Sequence, residues 1–331
     1  MGITETHAKT ILRRMRRIDS FFVSSAGMNL YRGCAHNCAY CDGRAEKYQV
    51  PGDFAADVQV KVNAVEVLRR ELSLDRAAQP ELFPDTHKGG YLLLGGGVGD
   101  SYQPAEAGCR MARQVLELLA ARGIPVHVLT KSSLVLRDAD LLERLAGAAG
   151  ALVSFSISTA DDALGALLEP GASPPSARLC ALSELRSRGI NGGVFLMPVI
   201  PFLSDSPGQI DQSVAAAARA GAQYVVFGGM TLKQGRQKEH FLRVVADGST
   251  DLAARYEQLY PPPPGNRPDW GNAPEAYYRR ITRAFARAAH AHGMPVRIPL
   301  ELCRHLLSDG EISTVCAENE RAAAAMERYL R

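Results

Sequence analysis

The chain has 331 residues, of which 46% are hydrophobic and 22% are charged, so it is long enough for one large or two modest globular domains. Its formal net charge of +3 is too small to indicate nucleic-acid binding by itself. No run of about 18 apolar residues occurs, and Met1 to Arg17 lack the apolar core of a signal peptide, so we predict neither a membrane span nor export. Seven cysteines, most of them scattered, argue against a disulfide framework and predict a cytoplasmic protein.

Apolar stretches of strand length alternate with helix-like stretches through most of the chain. A basic N-terminal segment over residues 1–25 comes first. The alternation begins after it with a strand predicted just before Cys34. It indicates βα units and a parallel sheet, and six strands fall short of a complete TIM barrel. We therefore predict an α/β fold, a partial (β/α)6 TIM-type barrel over residues 26–230. Its later strands are predicted over residues 91–95, 125–130, 151–158, 192–200 and 222–229, and its helices over residues 62–72, 105–122, 138–145, 177–188 and 209–220.

The alternation weakens after the last of these strands. Residues 260–270 contain consecutive prolines and predict an extended connection. A helix is predicted over residues 274–292, a last strand or edge segment over residues 294–299, and a final helix to Arg331. We expect residues 231–331 to form a C-terminal helical extension that closes the barrel.

Three cysteines, Cys34, Cys38 and Cys41, lie close together in the sequence. One interpretation is a structural zinc site with His36 as the fourth ligand. Zinc sites usually take two ligands from one loop and two from a distant segment, because tetrahedral closure is difficult within so short a stretch. A C-x3-C-x2-C loop is better suited to three irons of a 4Fe–4S cluster, whose fourth iron is left open for a substrate or cofactor. We therefore favour a 4Fe–4S cluster.

The motif C-x3-C-x-aromatic-C, with Tyr40 in the aromatic position, resembles the signature of the radical S-adenosylmethionine (SAM) superfamily. The resemblance implies that the open iron chelates SAM. It also implies that an electron from the cluster cleaves SAM to a 5′-deoxyadenosyl radical, which abstracts a hydrogen atom from a substrate. A flavodoxin- or ferredoxin-type protein is the implied electron donor.

A finer resemblance, to the spore photoproduct lyase-like branch of the superfamily, covers most of residues 10–230. Each stretch that carries it lies at a predicted strand end or in the following loop, which is where parallel barrels bind ligands. These stretches are NLYRGCAHNCAYC, GDSYQPAEAG, VLTKSSLVLRDADLL, VSFSIST, EPGASPPSARLCAL and MPVIPFLSD.

Two strand ends carry residues that resemble the SAM contacts of the superfamily. Gly95, Gly96 and Gly97 resemble the motif that meets the SAM amine, since glycines let backbone carbonyls approach an ammonium closely; a plain tight turn explains them equally well. Lys131 resembles the lysine that meets the SAM carboxylate as a point charge, the alternative being a solvated lysine at a helix entry.

Alternation along VSFSIST sends Ser154, Ser156 and Ser158 to one face of a strand. If that face is the barrel lumen, their hydroxyls suit the methionyl carboxylate or the ribose of SAM; the alternative is a packing face of small residues. Met197, with Pro198 at the next strand end, is assigned to packing against the adenine, with a core role as the alternative.

Tyr40 and Tyr102 are our candidate catalytic residues. Tyr102 and Gln103 follow the loop after the 91–95 strand, and we expect them to face substrate. Glu169 and Arg178 are further candidates for substrate contact, although a Glu–Arg pair at this spacing more often forms a structural ion pair.

Two features depart from what the resemblance implies for the lyase itself. Asp42 follows Cys41 where a second flanking tyrosine is implied. A hydrogen-returning cysteine is implied downstream of the cluster, but no cysteine lies between Cys41 and Cys109. Cys303 is expected to be a buried structural thiol rather than a substitute. We therefore do not expect spore photoproduct to be the substrate.

The substrate class stays open between two alternatives. Nucleic acid is favoured by the lyase-like branch and by the N-terminal arginines, whereas a small metabolite or peptide is favoured by the missing lyase residues. A non-catalytic iron–sulfur protein, either an electron carrier or a redox sensor, is an alternative of another class. The open fourth iron and the SAM-like strand ends argue against it.

Overall fold

The computed structural model describes residues 2–78, 89–96, 98–246, 250–265 and 268–330. Its strands are β1 (Gly2–Thr6), β2 (Leu12–Asp19), β3 (Ser24–Met28), β4 (Tyr31–Arg32), β5 (Asp57–Lys61), β6 (Tyr91–Gly95), β7 (Val126–Thr130), β8 (Ala151–Ile157), β9 (Asn191–Val199) and β10 (Val225–Gly229). Its helices are α1 (Ala64–Ala78), α2 (Glu106–Cys109), α3 (Met111–Arg122), α4 (Ala139–Ala148), α5 (Asp162–Leu168), α6 (Pro175–Ser187), α7 (Pro207–Arg219), α8 (Arg236–Ala246), α9 (Thr250–Leu259), α10 (Glu275–Ala291) and α11 (Asp309–Glu327).

Seven of the strands form one sheet, in the order β10-β9-β8-β7-β6-β3-β2. The strands from β3 to β10 in this order are parallel, and β2 runs antiparallel along β3 at the edge. β6, β7 and β8 are buried along their whole length, as suits strands covered on both faces. The sheet curls into a half-barrel, which confirms the predicted α/β fold and partial (β/α)6 TIM-type barrel.

Alternate residues of each strand pack on opposite faces of the sheet. Val128 of β7 faces the outer helices in the larger apolar core. Leu129, next to it, faces the inside of the curve in a second apolar cluster, with Ile298 from the C-terminal extension. Tyr91, the first residue of β6, donates a hydrogen bond of 2.7 Å to the carbonyl of Leu302. The extension therefore covers the concave face near the amino ends of the strands and leaves their carboxyl ends to form the site.

The N-terminal segment contributes strands to two sheets. β1 pairs with β5 in a separate sheet of order β1-β5-β4, and β2 forms the edge of the main sheet. The cysteines therefore follow β3 of the main sheet with only the short β4 between.

The C-terminal extension contains α8 to α11, of which α8 and α9 had no counterpart among the predicted elements. Of the two alternatives predicted for residues 294–299, the strand does not form: the Val225 N–H donates to the carbonyl of Pro295 at 2.8 Å, so the segment runs along the edge at β10 without a ladder. Pro295 and Pro299 lack the N–H donors that a ladder needs. None of the described helices combines the length and apolarity needed to cross a bilayer.

Candidate active site

The cysteine loop, residues 33–41, lies over the carboxyl ends of the parallel strands. Its backbone is held by the loop that follows β6, because the Ala35 N–H donates to Gln103 Oε1 at 2.8 Å. It is also held by the end of α5, which follows β8, because the Ala39 N–H donates to the carbonyl of Leu168 at 2.8 Å. The βα connections therefore position the loop over the mouth of the half-barrel.

Two glycines determine how closely the cysteine loop packs. Gly33 has a φ of +76°, and a Cβ at this position would lie 2.7 Å from the carbonyl oxygen of Phe54. Gly171 lies so close to the loop that a Cβ there would be 2.0 Å from the carbonyl oxygen of Ala35. Neither position accepts a side chain unless the cysteine loop moves.

Cys34 and Cys38 are buried and Cys41 is partly buried. Burial raises the pKa of all three thiols, so they need a positive partner to be held as thiolates, and a coordinated metal provides one. In the part of the chain that the structure describes, no three His, Cys, Asp or Glu side chains are placed to hold one ion. His36, the fourth ligand of the zinc interpretation, instead has its Nδ1 3.4 Å from Asp100 Oδ2. Three thiols, one for each of three irons, fit the ligand set of a 4Fe–4S cluster.

Arg44 brings a positive charge to the cysteine loop, which favours the negatively charged thiolate form of the motif cysteines. Its side chain is only 7% exposed, and its positive charge acts on Cys34, Cys38 and Cys41. One of its terminal nitrogens donates to Asn37 Oδ1, whereas its Nε has no hydrogen-bond partner among the described residues. A buried cation beside three thiols is what a thiolate-bound cluster requires for charge balance.

Asp100 organises the strand ends beside the cysteine loop, although the sequence analysis did not single it out. Its carboxylate accepts hydrogen bonds from Thr130 Oγ1 at 2.8 Å, from the Lys131 N–H at 2.7 Å and from the Tyr102 N–H at 2.8 Å. It also lies beside His36 of the cysteine loop. One carboxylate therefore joins the loop after β6, the end of β7 and the cysteine loop.

A charged network, formed by Lys131, Glu169 and Arg178, lies against the cysteine loop. Glu169 is 2% exposed and accepts hydrogen bonds from Tyr40 Oη, from Ser158 Oγ at 2.9 Å and from Lys131 Nζ at 3.2 Å. Arg178 is fully buried and donates to the other oxygen of the same carboxylate. Burial alone would raise the pKa of Glu169, but Lys131 and Arg178 outweigh it and hold the pKa well below its usual range. The carboxylate is therefore ionised and balances two cations beside the motif tyrosine.

Ser154 lies deepest of the three β8 serines. Its hydroxyl is hydrogen-bonded to His127 Nε2 at 2.7 Å and to Tyr224 Oη at 2.6 Å. Burial lowers the pKa of His127 to about 4, so its ring is neutral at pH 7. Ser154 therefore lies in a buried cluster of its own with His127 and Tyr224.

Ser156 and Ser158 lie nearer to the mouth, on the same face of β8. Ser156 Oγ accepts from Lys131 Nζ at 2.8 Å and donates to the carbonyl of Met197 at 2.8 Å. Ser158 donates to Glu169. Each step of two residues along a strand moves a side chain about 7 Å, so these two serines reach the charged network and Ser154 does not.

A family model described as the Radical SAM superfamily matches residues 28–210. The chain belongs to the radical SAM superfamily. Membership implies a 4Fe–4S cluster and SAM as cofactors. The matched range contains the cysteine loop, Lys131 and β8, so the residues that form the charged network all lie within it, including Glu169 and Arg178.

The chain is similar to an uncharacterized protein of Mycobacterium tuberculosis, 34% identical over 237 residues that make up 70% of this chain and 66% of that protein. The chain thus spans slightly less than two thirds of that relative. An uncharacterized protein of Methanocaldococcus jannaschii is 28% identical over 216 residues, 65% of this chain and 74% of that protein. Spore photoproduct lyase complexed with dinucleoside spore photoproduct superposes with a TM-score of 0.62 at 15% identity, covering 88% of this chain and 79% of the lyase. At this identity the likeness shows a shared fold.

The glycines that were compared with the SAM-amine motif lie at the end of β6, where Gly95 is its last residue and Gly96 follows. Gly95 and Gly96 have φ values of +91° and +83°. A Cβ on Gly95 would lie 2.5 Å from the carbonyl oxygen of Leu129, so the turn requires glycine for its own packing. Gly97 lies outside the described residues.

Three other residues of the sequence analysis lie in supporting positions. Tyr102 is fully buried and donates to Asp138 Oδ2 at 3.0 Å, so it has no exposed surface with which to meet a substrate. Gln103 is also fully buried and bonds the cysteine loop at Ala35. Met197 packs against the apolar cluster of the concave face, and only its carbonyl joins the charged network.

The C-terminal extension holds the cysteine loop from outside, which the sequence analysis did not foresee. Asp42 accepts hydrogen bonds from Tyr48 Oη at 2.8 Å and from Lys233 Nζ. Gln237 of α8 donates to the carbonyl of Tyr40 at 2.9 Å. The residue that replaces the second flanking tyrosine therefore forms an ion pair with the extension.

Proposed function

We propose that this chain binds a 4Fe–4S cluster through Cys34, Cys38 and Cys41 and, with SAM at the open iron, abstracts a hydrogen atom from a substrate. When bound, cluster and SAM supply the electron and the 5′-deoxyadenosyl radical. The observation that carries the proposal is that Tyr40, inside the cysteine motif, shares the Glu169 carboxylate with Lys131. The test is conversion of SAM to 5′-deoxyadenosine by the anaerobically reconstituted, dithionite-reduced protein.

We further propose a flavodoxin- or ferredoxin-type electron donor in a reducing cytoplasm. All seven cysteines are free thiols in the structure, as a reducing compartment would leave them. Scattered free thiols in such a compartment need no partner and serve as small apolar residues.

Lys131 is the residue we assign to the SAM carboxylate. Its Nζ is bonded to Ser156 at 2.8 Å and to Glu169 at 3.2 Å. An ammonium has three N–H donors, so one remains for an incoming carboxylate. The Lys131 side chain is 15% exposed, whereas Glu169 behind it is fully buried. The free donor is therefore accessible from the mouth of the half-barrel.

Lys131→Ala is expected to weaken SAM binding about tenfold to a hundredfold, because a hydrogen bond to a charged group contributes about 1.5–3 kcal/mol. The cluster absorbance should stay unchanged, since the cysteine loop keeps its own contacts. Equilibrium binding of SAM to the reconstituted variant measures the effect. Lys47→Ala, at a side chain 49% exposed on the outer side of the loop, is the matched control. Unchanged SAM affinity in Lys131→Ala would contradict the assignment.

A basic strand edge favours nucleic acid as the substrate class. Arg13, Arg14, Arg16 and Arg17 are all exposed on β2, the edge strand of the main sheet. β2 is antiparallel to β3, and its first residue, Leu12, pairs with the last residue of β3, at the mouth of the half-barrel. The arginines that follow Leu12 therefore extend along the sheet edge away from the mouth. Arginine rows of this kind bind the phosphates of nucleic acids, and such contacts position a strand without reading its sequence.

Spore photoproduct itself is not the substrate that we propose. Outside the motif, Cys303 is fully buried, with its Sγ facing the carbonyls of Pro299 and Leu300. Cys109 ends α2, Cys180 is exposed on α6, the outer layer of the fold, and Cys316 lies on α11. None of these thiols lies in the charged network, and Asp42 is already paired with Lys233. A substrate radical must therefore be quenched by another donor.

With deuterated DNA or RNA oligonucleotides, we expect deuterium in 5′-deoxyadenosine but no efficient conversion of spore photoproduct to thymines. Changing Arg13, Arg16 and Arg17 together to Gln should weaken oligonucleotide binding and reduce its salt dependence, because phosphate contacts are lost. Arg321→Gln, at a side chain 71% exposed on α11, is the control. Label transfer from peptides or metabolites alone, or multiple-turnover photoproduct repair, would contradict this substrate class.

A further inference from the structure

A small pocket lies on the outer side of the cysteine loop, between the turn that follows Cys41 and helix α8. Its volume is about 150 Å³, large enough for a carboxylate or phosphate group. The residues that determine its chemistry are Arg44, Asp53, Arg236, Glu239, His240 and Arg243.

Two of the residues that line this pocket, Arg44 and His240, each carry a buried polar atom without a partner. Among the described residues, Arg44 Nε and His240 Nε2 are buried and make no hydrogen bond. Leaving such an atom unpaired costs about 1–3 kcal/mol, so two in one pocket indicate a ligand that pairs with both. The Arg44 guanidinium is already fixed, over the Phe54 ring at 5.2 Å and at Asn37, so it does not turn away to find another partner.

The chemistry of these two atoms determines what the ligand must offer. An arginine Nε is only a donor, so its partner must be an acceptor. Burial, together with Arg44 and Arg243, lowers the pKa of His240 to about 4, so the ring is neutral and its Nε2 carries a proton in one tautomer. In that tautomer both nitrogens are donors, so the partner that each of them lacks is an acceptor such as an oxyanion oxygen.

The charges around the pocket favour an anion. Three arginines line it, against two carboxylates, Asp53 and Glu239, and one of the arginines, Arg236, is paired with Glu46 at 3.8 Å. Asp53 is already engaged, since its Oδ1 accepts from the N–H groups of Ala55 and Ala56 at 2.9 and 2.8 Å. Arg243 is exposed at the rim, where it can approach a bound anion.

We propose that this pocket binds a small oxyanion, a carboxylate or a phosphate group, which accepts hydrogen bonds from Arg44 Nε and His240 Nε2 and is approached by Arg243. The site is separate from the SAM residues, which lie across the cysteine loop at Lys131 and Glu169. Because the Arg44 charge acts on all three motif cysteines, an anion bound there would also reduce the positive field at the cysteine loop.

Isothermal titration of the reconstituted protein with inorganic phosphate, and separately with acetate, tests the site. We expect saturable binding of at least one anion, and the two arms show which oxyanion the pocket takes. His240→Ala and Arg243→Ala should each weaken that binding about tenfold, the effect of losing one good hydrogen bond or ion pair. Arg283→Ala, at an exposed arginine on α10, should leave it unchanged.

Arg243→Ala keeps the test decisive if His240→Ala does not fold, because Arg243 is a surface side chain. Absence of saturable binding by both anions would overturn the proposal, as would binding that neither variant weakens. Anion binding is measured without SAM cleavage, so its failure is distinguishable from a failure of the radical SAM activity.

Discussion

Replacement of Cys34, Cys38 or Cys41 with alanine, one at a time, is expected to abolish both the cluster and all cleavage of SAM. The wild-type protein, reconstituted anaerobically, should hold about four irons. Three of these irons each take one motif thiolate as a ligand. The other four cysteines lie elsewhere in the fold: Cys109 ends α2, Cys180 is exposed on α6, Cys303 is buried against the concave face, and Cys316 is on α11. Iron content, cluster absorbance and 5′-deoxyadenosine formation measure the effect.

Cys180→Ala is the matched control, because this thiol is exposed on the outer layer of the fold. It should retain the full iron content and the full rate of SAM cleavage. Zinc in place of iron in the wild-type protein would contradict the assignment of the loop. Full cleavage activity in any one of the motif variants would contradict it equally.

The half-barrel could be predicted because its signals are local in the sequence. The strand predicted over residues 91–95 coincides with β6, whose side chains are all buried. A short apolar run between turn signals indicates such a strand without knowledge of its neighbours. Over residues 294–299 the strand alternative was wrong: Val296 and Ile298 favour a strand, but the prolines at either side lack the N–H donors that a ladder needs.

The charged network and the contacts between the C-terminal extension and the cysteine loop could not be predicted, because the residues that form them are distant in the sequence. Lys233 meets Asp42 from 191 positions away, and no spacing pattern signals such a contact. Asp100 lies within a stretch that carried the family resemblance, yet its role depends on three strand ends that meet only in the folded chain. Alternation along β8 placed the serines on one face but could not give their depth, which separates Ser154 from the site.

Glu169→Gln is expected to lower the free energy of unfolding by about 3–5 kcal/mol at pH 7, because removing one partner of a buried ion pair leaves uncompensated charge. Arg178 is fully buried and would lose its counter-ion, and Lys131 would lose the negative charge that it faces at 3.2 Å. Urea unfolding under anaerobic conditions measures the change. Glu184→Gln is the control: Glu184 forms an exposed pair with Arg188 on α6, so its loss should cost less than about 0.5 kcal/mol.

The effect of Glu169→Gln should depend on pH in a defined direction. The pKa of Glu169 is held well below its usual range in the folded protein, whereas a glutamate in the unfolded chain titrates near pH 4.3. Its contribution to stability is therefore complete above about pH 4.3 and is lost as the pH falls towards the folded pKa. The difference between wild type and variant should shrink between pH 7 and pH 3. An equal difference at both pH values would show that Glu169 stabilises the fold through its shape and hydrogen bonds and not through its charge.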